Sequence, residues 1–111
     1  MALEITPFHD SMIVAIPRRL DANNAPAVET ELKSLLTTNP KKIILDFSDT
    51  DYMASAGLRV ILFISREFMK SGGQIALIEL QPSVIRIFDM AGFLRLFSIC
   101  ISREEALRKM V

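Results

Sequence analysis

Residues 42–47 read Lys42-Ile43-Ile44-Leu45-Asp46-Phe47, with three bulky apolar side chains in succession rather than in alternation with polar ones. A strand sends successive side chains to opposite faces. Such a run therefore needs apolar cover on both sides, the situation of a strand inside a sheet flanked by helices. Residues 74–80 repeat the demand with Ile75, Ala76, Leu77 and Ile78. The two segments predict buried strands of an α/β sheet, with 42–47 in its centre.

The segments between them carry helical periodicity. Ala25, Val28, Leu32, Leu35 and Leu36 recur at helical spacing, with Asn24 placed to cap, Pro26 in the first turn and Glu29-Lys33 as an i,i+4 ion pair. Asn39-Pro40 ends that helix. A second helix is expected from about residue 55 to 70, stopped by Gly72-Gly73, with Leu58, Ile61, Leu62, Ser65, Phe68 and Met69 as its core face. A third is expected over 83–91, with Val84, Ile87, Phe88 and Ala91 on one side and Gly92 closing it. A short strand over 97–101 follows. Ser102 and Glu105 then form a capping box for a terminal helix with Leu107 and Met110 inward.

At the start of the chain, Leu3-Glu4-Ile5 and residues 12–16 flank Pro7, Asp10 and Ser11, which predicts a hairpin with His9 solvated in its turn. The order is β-β-α-β-α-β-α-β-α. Helical crossovers force the later strands parallel, in right-handed connections. The 111 residues suffice for one core, and no linker, repeat or low-complexity segment divides them. The expectation is an α/β fold, a single domain over 1–111 with a mixed, mostly parallel sheet.

Several functions are disfavoured at once. Lys plus Arg and Asp plus Glu each total 13, so the basic footprint of a nucleic-acid binder is missing. No apolar run is longer than that of residues 60–64, which falls far short of the ~20 residues of a membrane span. The N-terminus does not read as a secretory signal, so a cytoplasmic protein without membrane insertion is expected. Gly57, Gly72, Gly73 and Gly92 are the only glycines and spell no phosphate-cradling or dinucleotide motif, so no cofactor is expected. Asp46, Asp49 and Asp51 match no metal spacing and read as turn formers beside Ser48 and Thr50; no metal is expected. Cys100, the single cysteine, reads as a small buried hydrophobe.

The segment from Asp46 to Leu58 places Ser55 at the mouth of the second helix. First-turn N–H groups lack intrahelical partners and the peptide dipoles add partial positive charge there, so an anion attached at Ser55 is favoured. A phosphate adds roughly −1.5 to −2 charges. The same serine also reads as a plain N-cap, an arrangement worth about 1 kcal/mol; the two roles are compatible. A nucleophile elbow is disfavoured, because Met53 stands where the first glycine of G-x-S-x-G belongs and His9 is the only histidine. No catalytic residue is assigned and no enzyme is expected. On the face opposite the core, Arg59, Phe63, Arg66 and Lys70 fall together. An exposed Phe63 among cations has the composition of a binding hot spot, or else is sheltered by arginine stems.

Two motifs carry a family resemblance. Ile43-Ile44-Leu45-Asp46-Phe47-Ser48 followed by Met53-Ala54-Ser55-Ala56-Gly57-Leu58-Arg59-Val60-Ile61-Leu62 resembles the signature of STAS-domain proteins of the anti-sigma factor antagonist type. Arg19-Leu20-Asp21-Ala22-Asn23-Asn24-Ala25-Pro26 resembles that family's polar loop entering its first helix. The resemblance covers essentially the whole chain. It implies a bacterial partner switch that regulates transcription. The unphosphorylated antagonist binds an anti-sigma factor that is a serine kinase with a GHKL-type ATP site. Phosphorylation releases it and a PP2C-type phosphatase resets it.

On that pattern Ser55 is the phosphoacceptor, and Asp21, Gly57 and Leu58 border the docking surface. The partner-binding set expected around them is Asp21, Asn23, Asn24, Met53, Ala54, Gly57, Leu58, Arg59 and Phe63. The family's motif usually reads Asp-Ser-Ser-Gly-Leu; here Ala54 replaces the aspartate, Ala56 the second serine, and Arg18 stands where glycine is frequent. The alternative from another class is a non-switching STAS scaffold or lipid-transport accessory module, and a small serine hydrolase is a distant third.

Overall fold

The computed structural model describes residues 2–110. Strands β1 (Ile5–Phe8) and β2 (Ser11–Ala15) form the expected antiparallel hairpin around His9-Asp10, with His9 at φ 54° in the turn. The first strand lies later than 3–5 and takes in Pro7. Proline is tolerated there because β1 is the edge of the sheet, where a missing N–H breaks no ladder.

The chain continues through β3 (Arg19–Leu20), α1 (Ala25–Leu36), β4 (Lys42–Asp46), β5 (Tyr52–Met53), α2 (Ser55–Lys70), β6 (Gln74–Ile78) and α3 (Pro82–Met90). A 3₁₀ turn at Leu94–Leu96, β7 (Ser98–Cys100) and α4 (Arg103–Lys109) complete it. The main sheet has the order β1-β2-β4-β6-β7, parallel from β2 onward. Strand β4 is its centre, as its uninterrupted apolar run requires.

Register accounts for the two cores. Val14, Leu45 and Leu77 align across β2, β4 and β6 and face α1, α2 and α3, where Val28, Leu32, Ile61, Ile64 and Phe88 join them. One residue back, Ile13, Ile44 and Ala76 align on the opposite face and pack, with Ile78 and Cys100, against Ala106 and Met110 at α4. Burial pushes the Cys100 thiol pKa up, as its reading as a core residue requires. Half of the expected capping box of α4 forms: the Glu105 N–H donates to Ser102 Oγ at 3.1 Å. The Glu105 carboxylate reaches one residue further back and accepts from the Ile101 N–H at 3.0 Å instead of from that of Ser102.

Helix α2 departs from its expected core face. Leu58, Ile61, Ser65 and Phe68 are buried as expected, and Val60 and Ile64 are buried with them, but Leu62 is only half-buried and Met69 is exposed. The helix packs against α1 as well as β6, which widens the buried arc toward Val60 and Ile64 and turns Met69 outward. Ala91 is likewise exposed, just past the end of α3, and Ala106 rather than Leu107 is the buried partner of Met110. Among the described residues, no helix is long and apolar enough to cross a membrane.

Candidate functional site

The largest departure from the expected order is also what builds the site. Strands β3 and β5, each two residues long, pair in parallel as a second small sheet, with Arg19 opposite Tyr52 and Leu20 opposite Met53. The pairing is reinforced on every side. The Arg18 carbonyl accepts from the N–H groups of Asp51 at 2.9 Å and Tyr52 at 3.3 Å, and Ala54 N–H donates to the Leu20 carbonyl at 2.9 Å. Arg18 Nε meets Asp51 Oδ2 at 2.8 Å, which pushes the guanidinium pKa up, and the Arg19 guanidinium lies 4.4 Å from the centre of the Tyr52 ring. Beneath them Thr50 is fully buried, its hydroxyl donating toward the carbonyls of Pro17 at 2.9 Å and Ile16 at 3.2 Å. The loops after β2 and β4 are thereby joined into one platform.

That platform sets the start of α2. Ala54 is held extended at φ −96° and ψ 168° and is the N-cap; its carbonyl accepts from Gly57 and Leu58. Ser55 is therefore the first helical residue and not the cap, which corrects the plain N-cap reading. The cap position needs non-helical backbone, and the hydrogen bond to Leu20 fixes Ala54 in it. Among the described residues no side chain caps this end, and Ser55 is exposed. Its hydroxyl stands where uncapped N–H groups and the helix dipole favour negative charge.

The loop into α1 also differs from expectation. Asn24 occupies the N-cap position, but its side chain makes no cap hydrogen bond. Its Oδ1 accepts from Asp21 N–H at 2.9 Å and its Nδ2 donates to the Arg19 carbonyl at 2.6 Å. Asp21 Oδ1 in turn accepts from the N–H groups of Asn23 at 3.0 Å and Asn24 at 3.4 Å. Both side chains are spent folding the loop against β3.

The residues expected to meet a partner divide into three groups. Ser55, Asn23, Arg59 and Phe63 are exposed, Phe63 at 42%. Asp21, Asn24 and Ala54 are half-buried. Met53, Gly57 and Leu58 are buried, so they offer no side chain to a partner and instead shape the surface from beneath. Arg18, Arg19, Thr50 and Tyr52 were missed. Arg18 and Arg19 stood in the loop that resembles the family's, but nothing local tied that loop to Asp51 and Tyr52, 33 positions on.

Asp46 Oδ1 accepts from Ser48 N–H at 2.9 Å and Asp51 is paired with Arg18, so two of the three aspartates act in turn and loop geometry. Among the described residues no group of three or more His, Cys, Asp or Glu is placed to hold a metal ion. His9 lies in the β1–β2 turn beside Asp10, whose carboxylate pairs with Lys42 at the start of β4. Ser55 follows the other end of β4, so His9 is not placed beside it as a base.

The profile of the STAS domain matches residues 2–106, and the chain belongs to that family, in its anti-sigma factor antagonist type. A Bordetella bronchiseptica protein named as a candidate anti-sigma factor antagonist, BtrV, is 32% identical over 106 residues, 96% of this chain and 91% of its own length. The crystal structure of a candidate anti-sigma factor antagonist from Thermotoga maritima superposes with a TM-score of 0.90 at 25% identity, covering 97% of this chain and 93% of that one. SpoIIAA of Bacillus, solved in a phosphorylated form, shares the fold with a TM-score of 0.73 at 18% identity, covering 99% of this chain and all of that one.

Proposed function

We propose that this domain is a phosphorylation-controlled partner switch of the cytoplasm. With Ser55 unmodified it binds an anti-sigma factor that is itself a serine kinase of the GHKL type; with Ser55 phosphorylated it lets go, and a PP2C-type phosphatase restores binding. The observation that carries the reading is Ser55 itself, exposed as the first residue of a helix that no side chain caps. That the related antagonist SpoIIAA is known in a phosphorylated form is consistent with it.

The physical basis is local. Docking brings a partner surface over the start of α2 and the Asp21 loop. A phosphate there adds a strongly hydrated double charge close in sequence to the exposed Asp49 and to Asp51, whose own charge Arg18 already offsets. Losing about 1.4 kcal/mol lowers affinity tenfold, so a modest repulsion suffices for release.

The test is to purify the ATPase that accompanies the chain in its native cell and incubate the two with ATP. Intact mass should show one phosphate on the wild type and none on Ser55→Ala. Ser55→Asp should bind the ATPase more weakly, and Ser55→Ala should hold it irrespective of ATP. Equal affinity of wild type, Ser55→Ala and the phosphorylated chain would remove the switch and leave a STAS scaffold.

A further inference from the structure

Helices α1 and α2 do not close over one another along their whole length. Between them runs a groove of about 540 Å³, beginning at Ala56, the residue after Ser55, and ending at Arg66. Its floor and walls are apolar. Ala25, Ala56 and Val60 supply small or branched side chains, and Phe63 stands exposed as one wall. Along α2 the groove follows about 15 Å of helix at 1.5 Å per residue, the length of three helical turns.

Its rim carries unbalanced positive charge. Among the described residues Glu29 is the only carboxylate lining the groove, and Lys33 already pairs with it at 2.8 Å while lying 5.1 Å from the centre of the Phe63 ring. Arg59 and Arg66 also line the groove, and among the described residues neither takes part in an ion pair. The start of α2 adds its partial positive charge at the near end. Apolar floor, two unpaired guanidinium groups seven residues apart and a three-turn length define one kind of occupant.

We infer that this groove receives an acidic amphipathic helix of the partner, its apolar face on Val60 and Phe63 and its carboxylates on Arg59 and Arg66. The inference rests on the partner-switch reading and extends it to what the partner presents. It also gives the modification a second lever. Ser55 and Arg59 are four residues apart on α2 and so lie on one side of the helix. A phosphate on Ser55 draws Arg59 to itself and repels the acidic occupant, opposing docking twice.

The experiment uses the full chain in its native cell with photoreactive benzoylphenylalanine in place of Phe63, in the groove, or of Asn23, exposed on the loop near Ser55. Both positions should cross-link the same partner. The segment attached at Phe63, mapped by mass spectrometry, should carry several Asp or Glu on a helical apolar pattern. Arg66→Glu should reduce the Phe63 adduct about tenfold, the effect of one interfacial charge contact, and leave the Asn23 adduct in place.

An Asn23 adduct without a Phe63 adduct overturns the groove proposal while the switch survives. So does a Phe63 adduct to a neutral or basic segment, to a second copy of the chain, or one indifferent to Arg66→Glu. Absence of both adducts overturns the groove and removes the partner reading with it.

Discussion

Gly57 and Leu20 touch across the junction of α2 and β3: a Cβ built on Gly57 would fall 2.5 Å from Leu20 Cγ and 2.8 Å from the Leu20 carbonyl oxygen. That same carbonyl accepts the Ala54 N–H and so holds the cap of the serine-bearing helix. One backbone oxygen thus sets both how close α2 comes and where it starts.

Gly57→Ala should therefore lower stability by about 1–3 kcal/mol, the usual range for overpacking, read as a fall in the urea midpoint. Leu20→Ala alone should cost about 2–5 kcal/mol by opening a cavity. In the double variant the clash with the Leu20 side chain is relieved while the one with its carbonyl oxygen stays, so the combined loss should fall only part of the way below the sum. Strict additivity would assign the cost of Gly57→Ala to the carbonyl oxygen alone and not to the Leu20 side chain.

How far the site was legible follows from its length scales. The hairpin, the central strand and the α2 boundaries were readable because each spans enough residues for a period of 2 or 3.6 to show. Strands β3 and β5 were not, since two residues carry no period and the pairing of Arg19 with Tyr52 is fixed only once β2 and β4 lie side by side. Ser55 was legible as a helix start because Gly57, Leu58 and the apolar stripe follow it. Its exact position, one past the cap, depended on the Leu20 carbonyl. Met69 was misassigned because a single-face stripe assumes one neighbour, whereas α2 packs on both the sheet and α1.

Ser65 is 1% exposed on α2, and among the described residues its buried hydroxyl has no hydrogen-bond partner. An orphaned buried polar group costs about 1–3 kcal/mol, and alanine is the better helix former. Ser65→Ala should accordingly raise stability by about 1 kcal/mol or more, measured by chemical denaturation. A loss on that substitution would show that the hydroxyl has a partner in solution.

The hydrogen bond from Lys42 holds the Asp10 carboxyl below its ordinary pKa of 3.8. A carboxyl lowered in this way contributes stability that is present above its unfolded pKa and is lost as pH falls through its folded pKa. Asp10→Asn should thus be less stable than wild type at neutral pH. The difference should shrink below pH 3.8 and vanish once the wild-type carboxyl is protonated. Denaturation midpoints of both chains against pH check this; a gap that persists in strong acid would assign the effect to turn geometry instead.

Phe63 is 42% exposed and its ring lies under Lys33. Truncating a side chain so placed should cost about 1 kcal/mol or less, leaving the melting temperature close to wild type. Because the ring is a wall of the α1–α2 groove, Phe63→Ala should nevertheless weaken partner binding. A large drop in melting temperature would place the ring in the core.

Ser55 separates stability from binding. Its hydroxyl is not the helix cap, so Ser55→Ala should change stability by no more than about 0.5 kcal/mol, as for other surface sites. Ser55→Asp puts a carboxylate in the first turn, where the macrodipole favours negative charge by about 0.3–1 kcal/mol, and should be the more stable protein. The same aspartate should be the weaker binder, because the charge the helix welcomes is one the docked partner must desolvate and oppose. Stability and affinity should therefore move in opposite directions for this one substitution. If Ser55→Ala instead costs about 1 kcal/mol, the loss expected of a cap, the hydroxyl is structural, and if Ser55→Asp binds as wild type does, charge at this position does not govern the partner.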